Sequence, residues 1–213
     1  MKDLLLLART TWAGLRLLLA ATLVLGLLYP LAITGIAQVA APWRSEGSLL
    51  TAEGEHTTDP ELAVGSELVG QGTTDPAQFQ PRPSAAGEGW DTLSTYGSNL
   101  GPESPDLVAA IEERRAEVAE REGVDPGDVP PDAVTASASG LDPDISPAYA
   151  ALQVPRVARE TGLSEDRVRE LVAEHTDGRT LGVLGEPRVH VLPLNLALDR
   201  ALAAAQAGSP DAG

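Results

Sequence analysis

Residues 17–37 form a run of 21 residues without a charged side chain. A helix of that length, rising about 1.5 Å per residue, reaches about 31 Å, close to the hydrocarbon thickness of a bilayer. Lipid offers the backbone no hydrogen-bond partners, so a segment this apolar is predicted to cross a membrane as one helix. The chain stays uncharged through Trp43, and Gln38 and Trp43 fall where a membrane–water interface would lie. Pro30 is predicted to bend the span, and Gly26 and Gly35 offer small surfaces to a neighbouring helix. Lys2, Arg9 and Arg16 precede the run with only Asp3 against them, whereas Arg44 is followed by Glu46, Glu53, Glu55 and Asp59. That bias predicts residues 1–16 on the cytoplasmic side and the large carboxyl part outside. A cleaved signal peptide is the main alternative, since Val39-Ala40-Ala41 offers small residues at a cleavage spacing. Its apolar core would exceed the usual length of about 7–15 residues. A buried hairpin helix of a soluble protein is a weaker one.

Beyond the span the chain is strongly acidic. Residues 44–213 hold 30 carboxylates against 12 arginines, a formal charge of −18. A surface of that sign repels nucleic acid and anionic lipid, and its arginines do not cluster along the chain as a phosphate-tracking groove requires. Lys2 is the only lysine, which excludes a Walker-type phosphate loop. The dinucleotide glycine fingerprint, the His-Glu-x-x-His zinc motif and the Gly-x-Ser-x-Gly elbow are absent as well. There is no cysteine, so disulfides and thiolate chemistry are excluded. His56, His175 and His190 are widely separated and read as surface or partly buried side chains, with no metal site predicted. The chain reads as something other than an enzyme in its own right.

Residues 38–60 read as a membrane-proximal linker, 61–205 as a mixed α/β domain of α+β character, and 206–213 as a flexible tail. A short strand is expected within residues 62–69. Residues 70–105 are rich in glycine and proline, with Phe79, Trp90 and Tyr96 among them. They are expected to form ordered loops pinned by these aromatics, or a mobile excursion. Ser104-Pro105 and Ser146-Pro147 are helix starts, with Gly123 and Gly162 as the matching stops. Pro155 is expected to bend or divide the second of these helices. Ser164 begins a third, residues 188–192 read as a strand, and 194–205 as a terminal helix.

Within that frame a few residues stand out chemically. Ser137 and Ser139 lie in a run of small side chains ending at Gly140. They read as loop-packing groups or, with a histidine base, as nucleophiles, though no triad is legible. Asp142 and Asp144 form a turn and cap before Ser146, or bind a cation or partner. Arg82, between two prolines, and Arg156, after Pro155, each read as an intradomain salt bridge or as a contact to a partner or ligand.

Several stretches together resemble one family. These are the apolar helix with Tyr29-Pro30, Gly47-Ser48-Leu49-Leu50, Gly65-Ser66-Glu67-Leu68-Val69-Gly70-Gln71, and Phe79 with Arg82-Pro83-Ser84-Ala85. They continue as Gly97-Ser98-Asn99-Leu100, Val134-Thr135-Ala136-Ser137-Ala138-Ser139-Gly140-Leu141-Asp142 and Ile145-Ser146-Pro147. Gln153-Val154-Pro155-Arg156-Val157-Ala158 and Leu194-Asn195-Leu196-Ala197-Leu198-Asp199 complete the set. In this order the chain resembles the KdpC family, the C subunits of the bacterial high-affinity potassium-transporting P-type ATPase. Two positions depart from the family pattern. Gln80-Pro81 stands where a His-Gly pair is frequent, and Tyr96-Gly97 where Gly-Gly is. The resemblance implies a non-catalytic, single-pass subunit of the bacterial cell membrane. Its implied partners are a potassium-channel-like subunit, the P-type ATPase subunit and a small single-span subunit. It also implies a role in assembly and stability, and a described activity as a catalytic chaperone that raises the ATPase subunit's affinity for ATP. On that basis Ser137, Ser139, Gly140, Gln153 and Arg156 are the candidate ATP contacts. Tyr29, Pro30, Arg82, Asn99, Asp142 and Asp144 are the candidate partner contacts. An anchored or exported solute-binding or structural protein, unrelated to ATP-driven transport, is the competing reading.

Overall fold

The structure, a computed structural model, describes residues 2–207. The expected tail at 206–213 lies mostly outside them. The chain divides between Ser48 and Leu49 into two compact units.

The first unit is built on the apolar run. It is helical as α1 (Lys2–Leu23), a π turn at Val24–Leu28, and α2 (Tyr29–Ala40). Proline cannot donate to the helix ladder, and its ring presses on the carbonyl four residues back, here that of Gly26. The ladder widens just ahead of it, and the Tyr29 N–H donates to the Val24 carbonyl, five residues back. Just ahead of Pro30, where the sequence predicts a bend, the helix therefore carries a π turn. Residues 3–40 are apolar enough to span a bilayer, with a mean hydropathy of 2.2 in their most apolar window and none of that window buried. Leucines face outward on every side, which suits an apolar solvent or neighbouring helices rather than water. The Arg16 guanidinium lies 5.1 Å from the centroid of the Trp12 ring, a pairing suited to an interface. Ala41 leaves the helical region, and a single turn, α3 (Pro42–Ser45), ends the unit.

The second unit is a mixed helix-and-sheet domain. It opens with β1 (Leu49–Thr51), β2 (His56–Thr57) and β3 (Ala63–Ser66), an antiparallel sheet in the order β2-β1-β3. Leu50 stands opposite Gly65 on one side and His56 on the other. Leu49–Thr51 and His56–Thr57, within the stretch expected as linker, are thus paired strands. They are too short to show a period of two in the sequence. The second sheet is also antiparallel, with β4 (Asp144–Ile145) and β5 (Thr176–Asp177) flanking β6 (Arg188–His190).

Four helices supply most of the core: α4 (Pro105–Glu122), α5 (Pro147–Thr161), α6 (Glu165–Glu174) and α7 (Val191–Ala207). The predicted ends hold. Gly123 and Gly162 take left-handed conformations at φ 70° and 74°, and the Ser146 and Ser164 hydroxyls accept the backbone N–H groups of Tyr149 and Arg167. Ser104 makes no such bond; Pro105 alone marks the start of α4. Pro155 does not divide α5, because Val154, Val157 and Ala158 on either side of it are all buried in the core. That burial offsets the cost of about 3 kcal/mol for an interior proline. Helix α7 starts three residues before the expected 194. Phe79 is fully enclosed in this core and pins the 70–105 loops, Trp90 is half-buried, and Tyr96 is exposed rather than an anchor.

Candidate functional site

Two of the residues proposed for ligand contact meet inside the domain. Gln153 and Arg156 lie one turn apart on α5, on the face that packs inward, and Arg156 is only 2% exposed. The Arg156 Nε donates to both Glu122 carboxylate oxygens at 3.1 and 2.9 Å. One terminal nitrogen donates to the Gln78 carbonyl at 3.1 Å and also to that of Pro76, and the other to Gln153 Oε1 at 2.8 Å. Gln153 then holds Gln80 from both sides, accepting its N–H at 2.7 Å and donating to its carbonyl at 3.1 Å. Asn195 on α7 does the same for Phe79, at 2.8 and 3.0 Å. Two amide side chains therefore act as a substitute strand for a loop that has no sheet of its own. The cluster is enclosed: Gln153 and Arg156 are buried, and their polar atoms are taken up by Glu122, by each other and by the 76–80 loop.

A second group joins two of the recognised stretches. Arg82 pairs with Asp142 at 2.6 Å and donates to the Thr135 carbonyl at 3.3 Å. Ser84 Oγ donates to the Gly140 carbonyl at 2.7 Å, and Thr95 Oγ1 to that of Ser139 at 2.7 Å. Within the small-residue run, the Ser137 and Ser139 hydroxyls accept the Gly140 and Leu141 N–H groups at 2.9 and 3.1 Å. Asp142 Oδ1 accepts the Asp144 N–H at 3.1 Å, a turn of the kind Asp-Pro favours. Arg-Pro-Ser and the serine run are thus two halves of one clasp. Neither Ser137 nor Ser139 has a hydrogen bond to histidine among the described residues.

Sheet pairing creates the third group. Asp144 stands opposite His190 in the register, so their side chains meet. His190 Nδ1 lies 2.7 Å from Asp144 Oδ1 and its Nε2 3.0 Å from Asp177 Oδ2. Arg188 reaches the other Asp144 oxygen and the same Asp177 oxygen, each at 3.2 Å. Contact with Asp144, and then with Asp177, raises the His190 pKa from 6.5 to about 9, against the opposing effect of burial. Its proton is held more tightly in the folded chain than in the unfolded one. The stabilisation is therefore full below about pH 6.5 and is lost as pH rises through about 9. The detergent-solubilised chain is expected to lose on the order of 1–2 kcal/mol between pH 7 and 9.5, allowing for screening at exposed Asp177. Urea midpoints of His190→Gln should lack that part of the pH slope.

The remaining candidates stay apart from these groups. Tyr29 and Pro30 lie at the π turn on the exposed surface of the apolar helix, and Asn99 sits at φ 53° in an exposed loop. Sequence reading missed Glu122, Asn195 and the second arginine on Glu122, Arg121, which reaches it at 2.8 Å and the Tyr149 hydroxyl at 2.9 Å. A signal for Glu122 existed. It follows Val118 and Ala119 by four and three residues, on the stripe that carries the apolar contacts of α4.

The family model for the c chain of the K+-transporting ATPase, KdpC, matches residues 11–200, across both the apolar helix and the domain. The chain belongs to the KdpC family. A relative named potassium-transporting ATPase KdpC subunit, from Kineococcus radiotolerans, is 55% identical over 192 residues, 90% of this chain and 94% of its own. KdpC subunits from Gemmatimonas aurantiaca and Koribacter versatilis are 52% and 48% identical, each over 84% of this chain and 87% and 88% of theirs. The KdpC match includes every residue of the three polar groups above.

Proposed function

We propose that this chain is the non-catalytic C subunit of an ATP-driven, high-affinity potassium uptake complex. The observation that carries this reading is the KdpC match over residues 11–200, which takes in the membrane helix and the domain as one unit of descent. Arg9 and Arg16 before the uncharged run, and carboxylates after it, support a cytoplasmic amino end and an external domain. The helix docks against a potassium-channel-like subunit, and the acidic domain stands at its outer mouth beside the P-type ATPase and small single-span subunits. There the −18 charge raises the local cation concentration modestly, an effect that salt screens within about 10 Å.

Any rise in the ATPase subunit's affinity for ATP passes through the membrane helices in this arrangement. An external domain faces away from cytoplasmic ATP, and the enclosed state of Gln153 and Arg156 argues the same way.

Gentle detergent purification of the tagged chain from potassium-starved native membranes tests the reading. The expected result is an intact amino terminus and stoichiometric recovery of a channel-like subunit and a P-type ATPase. A processed chain recovered alone would return the exported binding protein to first place.

A further inference from the structure

One cavity of the domain carries a charge opposite to that of the domain as a whole. It measures about 270 Å³, and its lining includes Arg82, Arg114 and Arg121, with Trp90, Tyr149 and Glu117. Arg114, Glu117 and Arg121 follow one another at helical spacing, so a single face of α4 supplies half of this set. Arg82 comes from the Pro-Arg-Pro segment opposite. We propose that this cavity is a binding site for a phosphate-class oxyanion.

The guanidiniums are held in place from behind. Arg82 is fixed by Asp142 and the Thr135 carbonyl, Arg114 by the Val134 carbonyl at 3.3 Å, and Arg121 by Glu122 and Tyr149. Each of these contacts uses only part of a group that carries five N–H donors. The Arg82 Nε is buried and has no acceptor among the described residues. Ion pairing also falls short. Arg82, Arg114, Arg121 and the adjoining Arg156 face three carboxylates, Asp142, Glu122 and Glu117, and Glu122 is shared by Arg121 and Arg156. A surplus of one positive charge is left inside a domain of −18. Planar guanidiniums with N–H donors to spare suit a phosphate-type oxyanion, which takes parallel N–H bonds from several of them. The same chemistry serves free phosphate and the phosphodiester of an anionic phospholipid headgroup. The site is distinct from the Ser137–Gly140 loop.

Among the described residues Glu117 is the one carboxylate in the lining, which makes the charge balance testable in both directions. Titration calorimetry on the full chain in zwitterionic detergent uses inorganic phosphate as probe, and native mass spectrometry after incubation with phosphatidylglycerol reads retained lipid. Arg114→Gln should weaken binding about fivefold or more, and Glu117→Gln should tighten it about threefold, each by changing one charge near the anion. Both side chains are outside the buried core, and unchanged unfolding midpoints confirm that each variant is folded. Phosphate binding with this pair of shifts assigns the site to free oxyanion. Retained lipid with the same shifts, and no phosphate heat, assigns it to a headgroup. Absence of both ligands in the folded wild-type chain overturns the site, as does binding that Arg114→Gln and Glu117→Gln leave unmoved.

Discussion

Replacing Arg156 with Met is expected to cost the folded chain about 3–4 kcal/mol, because it removes one member of a buried ion pair and leaves the other in place. Methionine fills most of the space but donates nothing. Glu122 keeps Arg121, whose guanidinium is partly exposed, so the carboxylate is weakened rather than stranded. The Pro76 and Gln78 carbonyls lose their donor outright, and their loop has no sheet to fall back on. The loss should therefore appear first as protease sensitivity around residues 76–80 and then as a lowered denaturation midpoint. Glu122→Gln keeps an acceptor for Arg156 and should cost about 2 kcal/mol. The double variant should fall well short of the sum, since removing both charges relieves the desolvation that each single change leaves uncompensated. Denaturant titration of the detergent-solubilised chain measures all three. An Arg156→Met chain within about 1 kcal/mol of wild type would mean that the cluster holds the loop less firmly than its geometry implies.

The sequence made Arg156 visible without revealing what it does. A charged side chain after a proline in an amphipathic helix reads equally as an internal ion pair or as a contact to a ligand. The deciding fact is the position of Glu122, 34 residues away, and helix periodicity cannot supply that distance relation. Periodicity and capping did place α4, α5 and α6 closely, because Ser-Pro starts and glycine stops act locally and at fixed offsets. The short strands were legible only in part. Asp144 and His190 become neighbours solely through the β4–β6 register, so the charge clasp they form has no local signal. Pro155 pointed to a bend or a division, and the division does not occur: its local cost is real, and the buried residues around it outweigh that cost. The long apolar helix was the most legible element of all, since length and absence of charge are properties of the sequence itself.

A methyl group at Gly140 separates packing from ligand contact in the run of small residues. Gly140 sits at φ 71°, where a side chain is strained, and an added Cβ would stand 2.6 Å from the Ala86 nitrogen and 2.9 Å from the Tyr96 oxygen. Both are backbone atoms that cannot swing aside. Gly140→Ala therefore has to push residues 84–97 away from the clasp, and is expected to cost about 3 kcal/mol from strain and overpacking together. Ser137→Ala and Ser139→Ala each remove an acceptor for one backbone N–H, with an expected cost of about 1 kcal/mol. Hydrogen exchange should show the 84–97 loops opening in the glycine variant and staying protected in the serine variants. Assembly follows the same order if the run serves to close the domain: the glycine variant is depleted from the purified complex, and the serine variants are recovered at wild-type level with unchanged ATP dependence. A serine variant that assembles normally but shifts the ATP dependence would instead give the hydroxyls a ligand to hold. The geometry favours closure, since both hydroxyls already accept N–H groups of their own loop.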